Sequence, residues 1–356
     1  MSFEVTIEPL GITVDVEDDQ TILDAALRQG VYLPHACGHG LCGTCKVDVL
    51  EGDVEIGEEA SPFALMDFER EDGKCLTCCA IPESDLVIEA DVEEEPDAKN
   101  IPVEDYTAVV AKIEDLSPRI KGIFLALEGN EIDFQAGQYV NLNIPGLEGS
   151  PRPFSIASPS SEKHLVELNV ALIEGGEGTK YLHNDLKVGD EMTFSGPYGH
   201  FFVRESAPEP LIFLAGGSGL SSPKSMILDL IEKGDNRPMT LIYGARNQDE
   251  IYYRGLFEEL DREHDFFTYI PVLSAEHEGS DWQGYRGFVN DVANKVFDGK
   301  FEGHKAYMCG PPPMIDACIT TLMRGRLFEK DMFMEKFLTA ADGEEEKKKS
   351  PLFRNI

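Results

Sequence analysis

Cys37, Cys42 and Cys45 follow the spacing C-x4-C-x2-C on a glycine-rich run, Ala36-Cys37-Gly38-His39-Gly40-Leu41-Cys42-Gly43-Thr44-Cys45. Thiolates so spaced, completed by a fourth from a later segment, hold a [2Fe-2S] cluster. Gly38, Gly40 and Gly43 let the backbone wrap closely round such a cluster and point N–H groups at its sulfurs. The chemistry this predicts is single-electron transfer. Cys75, Cys78 and Cys79 compete for the fourth position. A structural zinc site would show two close Cys or His pairs, and no convincing second pair follows. Cys37-Gly38-His39 imitates half of a Rieske motif, but Cys42 comes too soon and no matching C-x2-H half exists. Cys318 lies in an apolar run and reads as core.

Two glycine-bearing segments could hold phosphate. Gly176-Glu177-Gly178-Thr179 opens a helical stretch predicted over 180–186, and a helix N-terminus favours an anion. Leu211-Ile212-Phe213-Leu214-Ala215-Gly216-Gly217-Ser218-Gly219 reads as a buried strand running into a glycine turn, where a dinucleotide pyrophosphate can approach the next helix. The loop Gly244-Ala245-Arg246-Asn247-Gln248-Asp249-Glu250 bears on which dinucleotide. Asp249 and Glu250 would repel a 2'-phosphate, whereas a carboxylate can accept from a free ribose 2'-OH, so NADH is expected.

These segments need elements to position them. Before about residue 95 the chain reads as a small mixed fold: strands at Val5 and Val14, a helix opened by Thr21-Ile22-Leu23-Asp24 and stopped at Gly30, the cysteine loop, a strand over 46–49, a helical patch near 63–68, and a strand over 86–90. Residues 91–102, acidic and broken by Pro96, read as a linker. Short strands with Gly and Pro turns follow to about 202, among them 137–142 and 167–170, and suggest an antiparallel barrel. From Leu211 strands alternate with helices, with further strands over 239–243, 267–272 and 305–309, which implies a parallel sheet. The charge block at 344–349 has nothing to bury and reads as mobile.

At 356 residues the chain can form two or three domains without disulfide staples. Eight cysteines with no secretory leader suggest a reducing cytoplasm, and no apolar run reaches the roughly 18 residues of a membrane span. The net charge is -35, and residues 1–100 carry 25 acids against 5 bases. Nucleic acid is excluded as a partner on that ground, whereas a basic face on a redox partner would suit the acidic first domain.

Several stretches resemble one known family. Leu76-Thr77-Cys78 with Ala80 and Pro82 resembles the last-ligand segment of plant ferredoxins, which implies Cys78, although 29 residues from Cys45 to Cys75 is the gap usual there. Arg152-Pro153-Phe154-Ser155 resembles the R-x-Y-S motif of ferredoxin-NADP reductase-like barrels, with Phe for Tyr. The resemblance implies that Arg152 pairs with the flavin pyrophosphate, Phe154 lies against the ring and Ser155 sits near the nitrogen that takes the hydride. Gly176 and Thr179 match the G-x-x-S/T of the flavin pyrophosphate site. Gly216, Gly217, Ser218 and Gly219 match the nucleotide loop, with Pro223 displaced by one position. Cys309-Gly310-Pro311-Pro312-Pro313-Met314 resembles the segment that places a thiol beside the nicotinamide, and Glu335-Lys336-Phe337 the end where an aromatic covers the flavin.

With SPFALMD, FQAGQYVNL, WQG and AYMCGPPPMIDA, the whole is similar to the reductase components of bacterial multicomponent phenol hydroxylases, related to that of soluble methane monooxygenase. The resemblance implies a multidomain α+β and α/β protein: a β-grasp [2Fe-2S] ferredoxin-like domain (1–95), a linker (96–102), an antiparallel β-barrel FAD domain (103–204), a parallel-sheet NAD domain (205–338) and a mobile tail (339–356). It implies electron flow from NADH through FAD and the cluster to a diiron hydroxylase. A Rieske dioxygenase reductase shares this order, and a non-catalytic redox sensor or scaffold would bind the same cofactors.

Overall fold

Alternating apolar residues make Ser2–Glu8 a half-buried strand, with Val5 and Ile7 inward. In the computed structural model the described residues are 2–337, except 37, 39, 58, 59, 93, 94 and 148. Cys37, His39 and the expected tail, 339–356, lie outside them. Two compact units form, Met1–Tyr106 with Ser195–His200, and Thr107–Phe194 with Phe201–Ile356.

The first unit is a five-stranded sheet in the order Ile12–Glu17, Ser2–Glu8, Leu86–Glu89, Lys46–Glu51, Lys74–Leu76. Helix Ile22–Arg28 covers it with Ile22, Leu23, Ala25, Ala26 and Leu27. Thr21 caps the helix by accepting from the Asp24 N–H at 3.3 Å, and Gly30 ends it at φ 74°. The helical patch expected near 63–68 begins later, at Asp67–Glu71, because residues 61–65 form a turn beside the cysteine loop. Val54–Ile56 and Ala80–Pro82 form a further, unanticipated antiparallel pair. Val103, expected to open the second domain, is buried in this unit's core, and its N–H donates to the Leu27 carbonyl at 3.0 Å.

Six antiparallel strands follow in the order Arg152–Ser155, Tyr139–Leu142, Glu191–Tyr198, Glu104–Ser117, Ile120–Leu127, Leu165–Ala171. An antiparallel bridge between Ile156 and Leu168 brings the two end strands together, so the sheet closes as a barrel. The last sheet is parallel: Tyr285–Arg286, Phe267–Leu273, Met239–Ala245, Leu211–Gly216, Lys305–Gly310, Met332–Lys336. Its order reverses between Leu211–Gly216 and Lys305–Gly310, the switch point at which open α/β sheets bind ligands beyond their strand ends.

Candidate redox sites

In the first unit, Gly38, Gly40 and Gly43 have φ of 68°, 69° and 74°, so the cysteine loop is built from left-handed turns that other residues adopt at a cost. The loop lies against residues 61–64: Ser61 N–H donates to the Gly40 carbonyl at 2.9 Å, and a Cβ on Gly43 would stand 3.2 Å from the Ala64 carbonyl. Cys45 and Cys78 meet, sulfur to sulfur, at 3.2 Å, and Gly40 N–H points at the Cys78 sulfur from 3.3 Å. Cys42 is exposed, with its sulfur 3.2 Å from the Thr44 hydroxyl. Among the described residues no three metal-ligating side chains converge. The loop nevertheless suits a cluster: soft sulfur donors come together under a directed backbone N–H, the chemistry that iron and sulfide require.

Cys75 is placed elsewhere. Its strand, Lys74–Leu76, pairs with Lys46–Glu51 so that Cys75 lies opposite Val47, wholly buried in the apolar core. Burial, aided by Cys45, pushes its thiol up to about 12. Cys79 is also buried, next to Ala60 and Leu65. Cys318 is in the core, as expected.

The barrel contributes a second set. Arg152 is half-buried and donates to the Ser150 carbonyl at 2.7 Å and the Ser150 hydroxyl at 2.6 Å. Gly178 stands beside it, since an added Cβ there would be 3.4 Å from Arg152 Cγ. The helix runs Glu177–Asn184, earlier than the expected 180–186, so Thr179 is in its first turn. There Thr179 Oγ1 accepts from Ile173 N–H at 3.1 Å and donates to the Gly176 carbonyl at 3.3 Å. An arginine beside a helix N-terminus is a phosphate-binding arrangement. Pro153 is exposed and Phe154 half-buried, while Ser155 is buried.

The nucleotide sheet supplies the third. Gly216–Gly219 leaves its strand as a single 3-10 turn, Gly217–Leu220, feeding helix Ser221–Glu232. Pro223 falls in that helix's first turn, where a missing N–H costs nothing, so its displacement is harmless. A Cβ on Gly219 would lie 2.3 Å from the Cys309 carbonyl, and one on Gly216 2.5 Å from Met314 Sδ. Gly217, at φ 55°, has nothing within 4 Å of that position. Ser218 is half-buried, with its carbonyl accepting from Ser221 Oγ at 2.9 Å. Gly310, at φ 150°, packs on Gly216, and Pro311 caps helix Pro312–Arg324. Asp249 is exposed on the turn Gln248–Glu250, beyond the carboxyl end of Met239–Ala245. Behind that turn Glu276 accepts from Gln248 N–H at 3.0 Å, which holds its carboxyl below the ordinary value. Phe337 packs against the nucleotide core, with its N–H on the Gly310 carbonyl at 3.0 Å.

Barrel and nucleotide sheet meet at a carboxylate. Glu335 Oε2 accepts from Ser155 Oγ at 3.0 Å and Ser222 Oγ at 3.1 Å, with Cys309 Sγ 3.7 Å away. The residue as a whole is half-buried, but its carboxylate is enclosed by these three side chains. Burial raises its carboxyl to about 7, against the pull of the three hydrogen bonds. Cys309 is fully buried, and burial together with Glu335 pushes its thiol well up, so it remains a neutral donor. Ser155 and Cys309 are thus brought together at Glu335. Glu335 was not singled out from sequence, although its triplet with Phe337 was the available signal.

Comparison with known proteins accords with this geometry. Three family models match in order: a 2Fe-2S iron-sulfur cluster binding domain over residues 5–83, an oxidoreductase FAD-binding domain over 107–203 and an oxidoreductase NAD-binding domain over 213–319. The chain is 61% identical to the reductase component DmpP of phenol 2-monooxygenase from Pseudomonas sp. strain CF600, over 356 residues and all of both chains. It is 56% identical, again over the whole of both, to the phenol hydroxylase P5 protein of Acinetobacter pittii strain PHEA-2. Among solved structures the Amycolatopsis cytochrome P450 reductase GcoB superposes with a TM-score of 0.86 at 32% identity, covering 95% of this chain and 99% of that one. With a cluster loop, a flavin barrel and a nucleotide sheet in one chain, and full-length identity at that level, the protein belongs to the reductase components of phenol hydroxylases, NADH-dependent oxidoreductases that carry FAD and a [2Fe-2S] cluster.

Proposed function

We propose that this chain supplies electrons from NADH to the hydroxylase of a phenol-oxidising monooxygenase in the cytoplasm. A hydroxylase partner follows from membership of a reductase-component family. That the partner holds a diiron centre is supported by the resemblance to the soluble methane monooxygenase reductase. The observation that carries the reading is full-length identity of 61% to a phenol 2-monooxygenase reductase, because domain order alone is shared with GcoB, a cytochrome P450 reductase. Among the described residues no helix is long and apolar enough to cross a membrane.

Flavin supplies the step that separates the two electrons of a hydride, and the cluster passes them on singly. The chain's own residues hold and isolate these groups. Cys37, Cys42, Cys45 and Cys78 hold the cluster, Cys75 being committed to the core. Arg152 and the Gly176–Thr179 helix start take the flavin pyrophosphate, with Pro153 and Phe154 lining the ring. Gly217 admits the nucleotide pyrophosphate, while Gly216, Ser218, Gly219, Gly310 and Pro311 shape the wall around it. Ser155 and Cys309 keep their protons directed at Glu335 Oε2, so a proton carried by Glu335 sits on Oε1. Asp249 faces the ribose end. The domain bounds proposed are 1–95 for the cluster domain, 96–102 for a linker, 103–204 for the flavin barrel and 205–338 for the nucleotide domain, although Val103 itself packs in the core of the first unit.

The test combines the purified protein, NADH, phenol and the hydroxylase of a phenol monooxygenase, and follows hydroxylation. Wild type supports turnover. Cys42→Ala abolishes it and abolishes cytochrome c reduction, yet keeps NADH bleaching of the flavin in stopped flow. If a folded Cys42→Ala protein lost flavin reduction as well, the order nicotinamide, flavin, cluster is wrong. If wild type sustained a cytochrome P450 or a Rieske oxygenase but no phenol hydroxylase, the partner is wrong.

A further inference from the structure

Strand Leu165–Ala171 directs alternate side chains at the nucleotide sheet. Glu167 on that face is taken by Lys224 Nζ at 2.7 Å and the Tyr253 hydroxyl at 2.5 Å, and Ala171 packs against the nucleotide core. Asn169 lies between them on the same face. It is 5% exposed, and neither Oδ1 nor Nδ2 has a hydrogen-bond partner. Fully buried carboxamides left with both ends unsatisfied are rare, because each end gave up hydrogen bonds to water on folding. Leu168 bridges Ile156 antiparallel, and Ala157 N–H donates to the Glu167 carbonyl at 2.8 Å. That register sets Asn169 opposite Ser155, with both side chains on one face. Ser155 is the barrel's contribution to the cluster of Ser222, Cys309 and Glu335.

We propose that Asn169 is a cofactor-binding residue whose carboxamide pairs with an amide edge of a ring bound beside Ser155, Nδ2 donating to a carbonyl and Oδ1 accepting from an N–H. Two groups present that edge in this reaction, the imide side of the flavin ring and the carboxamide of the nicotinamide. The inference rests on the reading that both rings meet at Ser155. No other side chain described on this face offers a donor and an acceptor together: Glu167 is spent on Lys224 and Tyr253, and Ser155 on Glu335.

The test uses Asn169→Leu, close in volume and unable to hydrogen-bond, and Asn169→Ser as a smaller variant that folds if leucine does not fit. FAD affinity is read by fluorescence titration of deflavinated protein, NAD+ affinity by titration of the flavin-loaded protein, and the ring environment by the visible flavin spectrum. In both variants one dissociation constant rises about 5- to 100-fold, the loss of up to two net hydrogen bonds. A rise for FAD with a shifted flavin spectrum identifies the flavin edge, and a rise for NAD+ alone identifies the nicotinamide. Unchanged constants for both ligands in folded variants overturn the role of Asn169. Wild type that binds neither ligand overturns the wider reading instead.

Discussion

Glu335 offers a quantitative check, because its carboxylate is enclosed by Ser155, Ser222 and Cys309 rather than by a cation. Burial lifts it from an ordinary 4.5 to about 7. An acid held above its unfolded value binds its proton more tightly in the folded protein. The stability it contributes is therefore complete below about pH 4.5 and is lost as pH rises through about 7. At roughly 1.36 kcal/mol per pH unit the lift corresponds to at most about 3.4 kcal/mol, and partial exposure of the residue brings the expectation nearer 2 kcal/mol. Glu335→Gln keeps the shape of the neutral acid and cannot ionise. Urea unfolding of the flavin-loaded protein, followed by flavin fluorescence, reports the unit that holds Glu335. Between pH 4 and pH 8 wild type loses about 2 kcal/mol relative to the variant. Parallel pH profiles for the two proteins would refute an uncharged Glu335 enclosed at this junction.

Three further outcomes follow from single contacts. Cys78→Ser loses the visible cluster spectrum, whereas Cys75→Ala keeps it, because Cys75 lies opposite Val47 inside the sheet; the reverse result would reassign the fourth ligand. NADH exceeds NADPH in kcat/KM, since Asp249, Glu250 and Glu276 gather at the end of the second nucleotide strand, and equal efficiencies would remove them from the ribose site. Lys224→Met leaves Glu167 buried without its cation and costs about 3–5 kcal/mol in urea unfolding, while Lys224→Met with Glu167→Leu recovers most of it; a double variant as unstable as the single would contradict this account of the pair.

The motifs were legible where the chain itself sets the geometry. C-x4-C-x2-C and the Gly216–Gly219 turn each act within a few residues, so their spacing carries much of their meaning, whereas the Arg152–Ser155 tetrapeptide is legible only through its resemblance to a family motif. The strands at 137–142, 167–170 and 211–216 were legible for the same reason, as apolar periods between turns. Cys75 shows where local information stops. Its distance from Cys45 suits a fourth ligand, but the ladder that sets it opposite Val47 turns its thiol into the core, and a register is invisible until the partner strand is known. Glu335 lies farther from prediction still. Its partners Ser155, Ser222 and Cys309 come from the ends of separate elements, one of them 180 residues away.

The glycines of the nucleotide loop show how one motif divides into different physical jobs. Read as a string, Gly216, Gly217 and Gly219 are three equal permissions for a pyrophosphate to come close. In the fold two of them are matters of packing: side chains at Gly216 and Gly219 would strike Met314 and the backbone of Cys309, and Gly310 closes on Gly216 from the other side. Only Gly217 has both a left-handed φ and open space beside it. The packing glycines draw the Cys309 strand end against the loop, and that approach brings Cys309 within reach of Ser222 and Glu335. The same residues that clear space for a nucleotide therefore also set the distance between the thiol and the buried carboxylate, so the phosphate site and the proton-holding site are built by one set of backbone contacts.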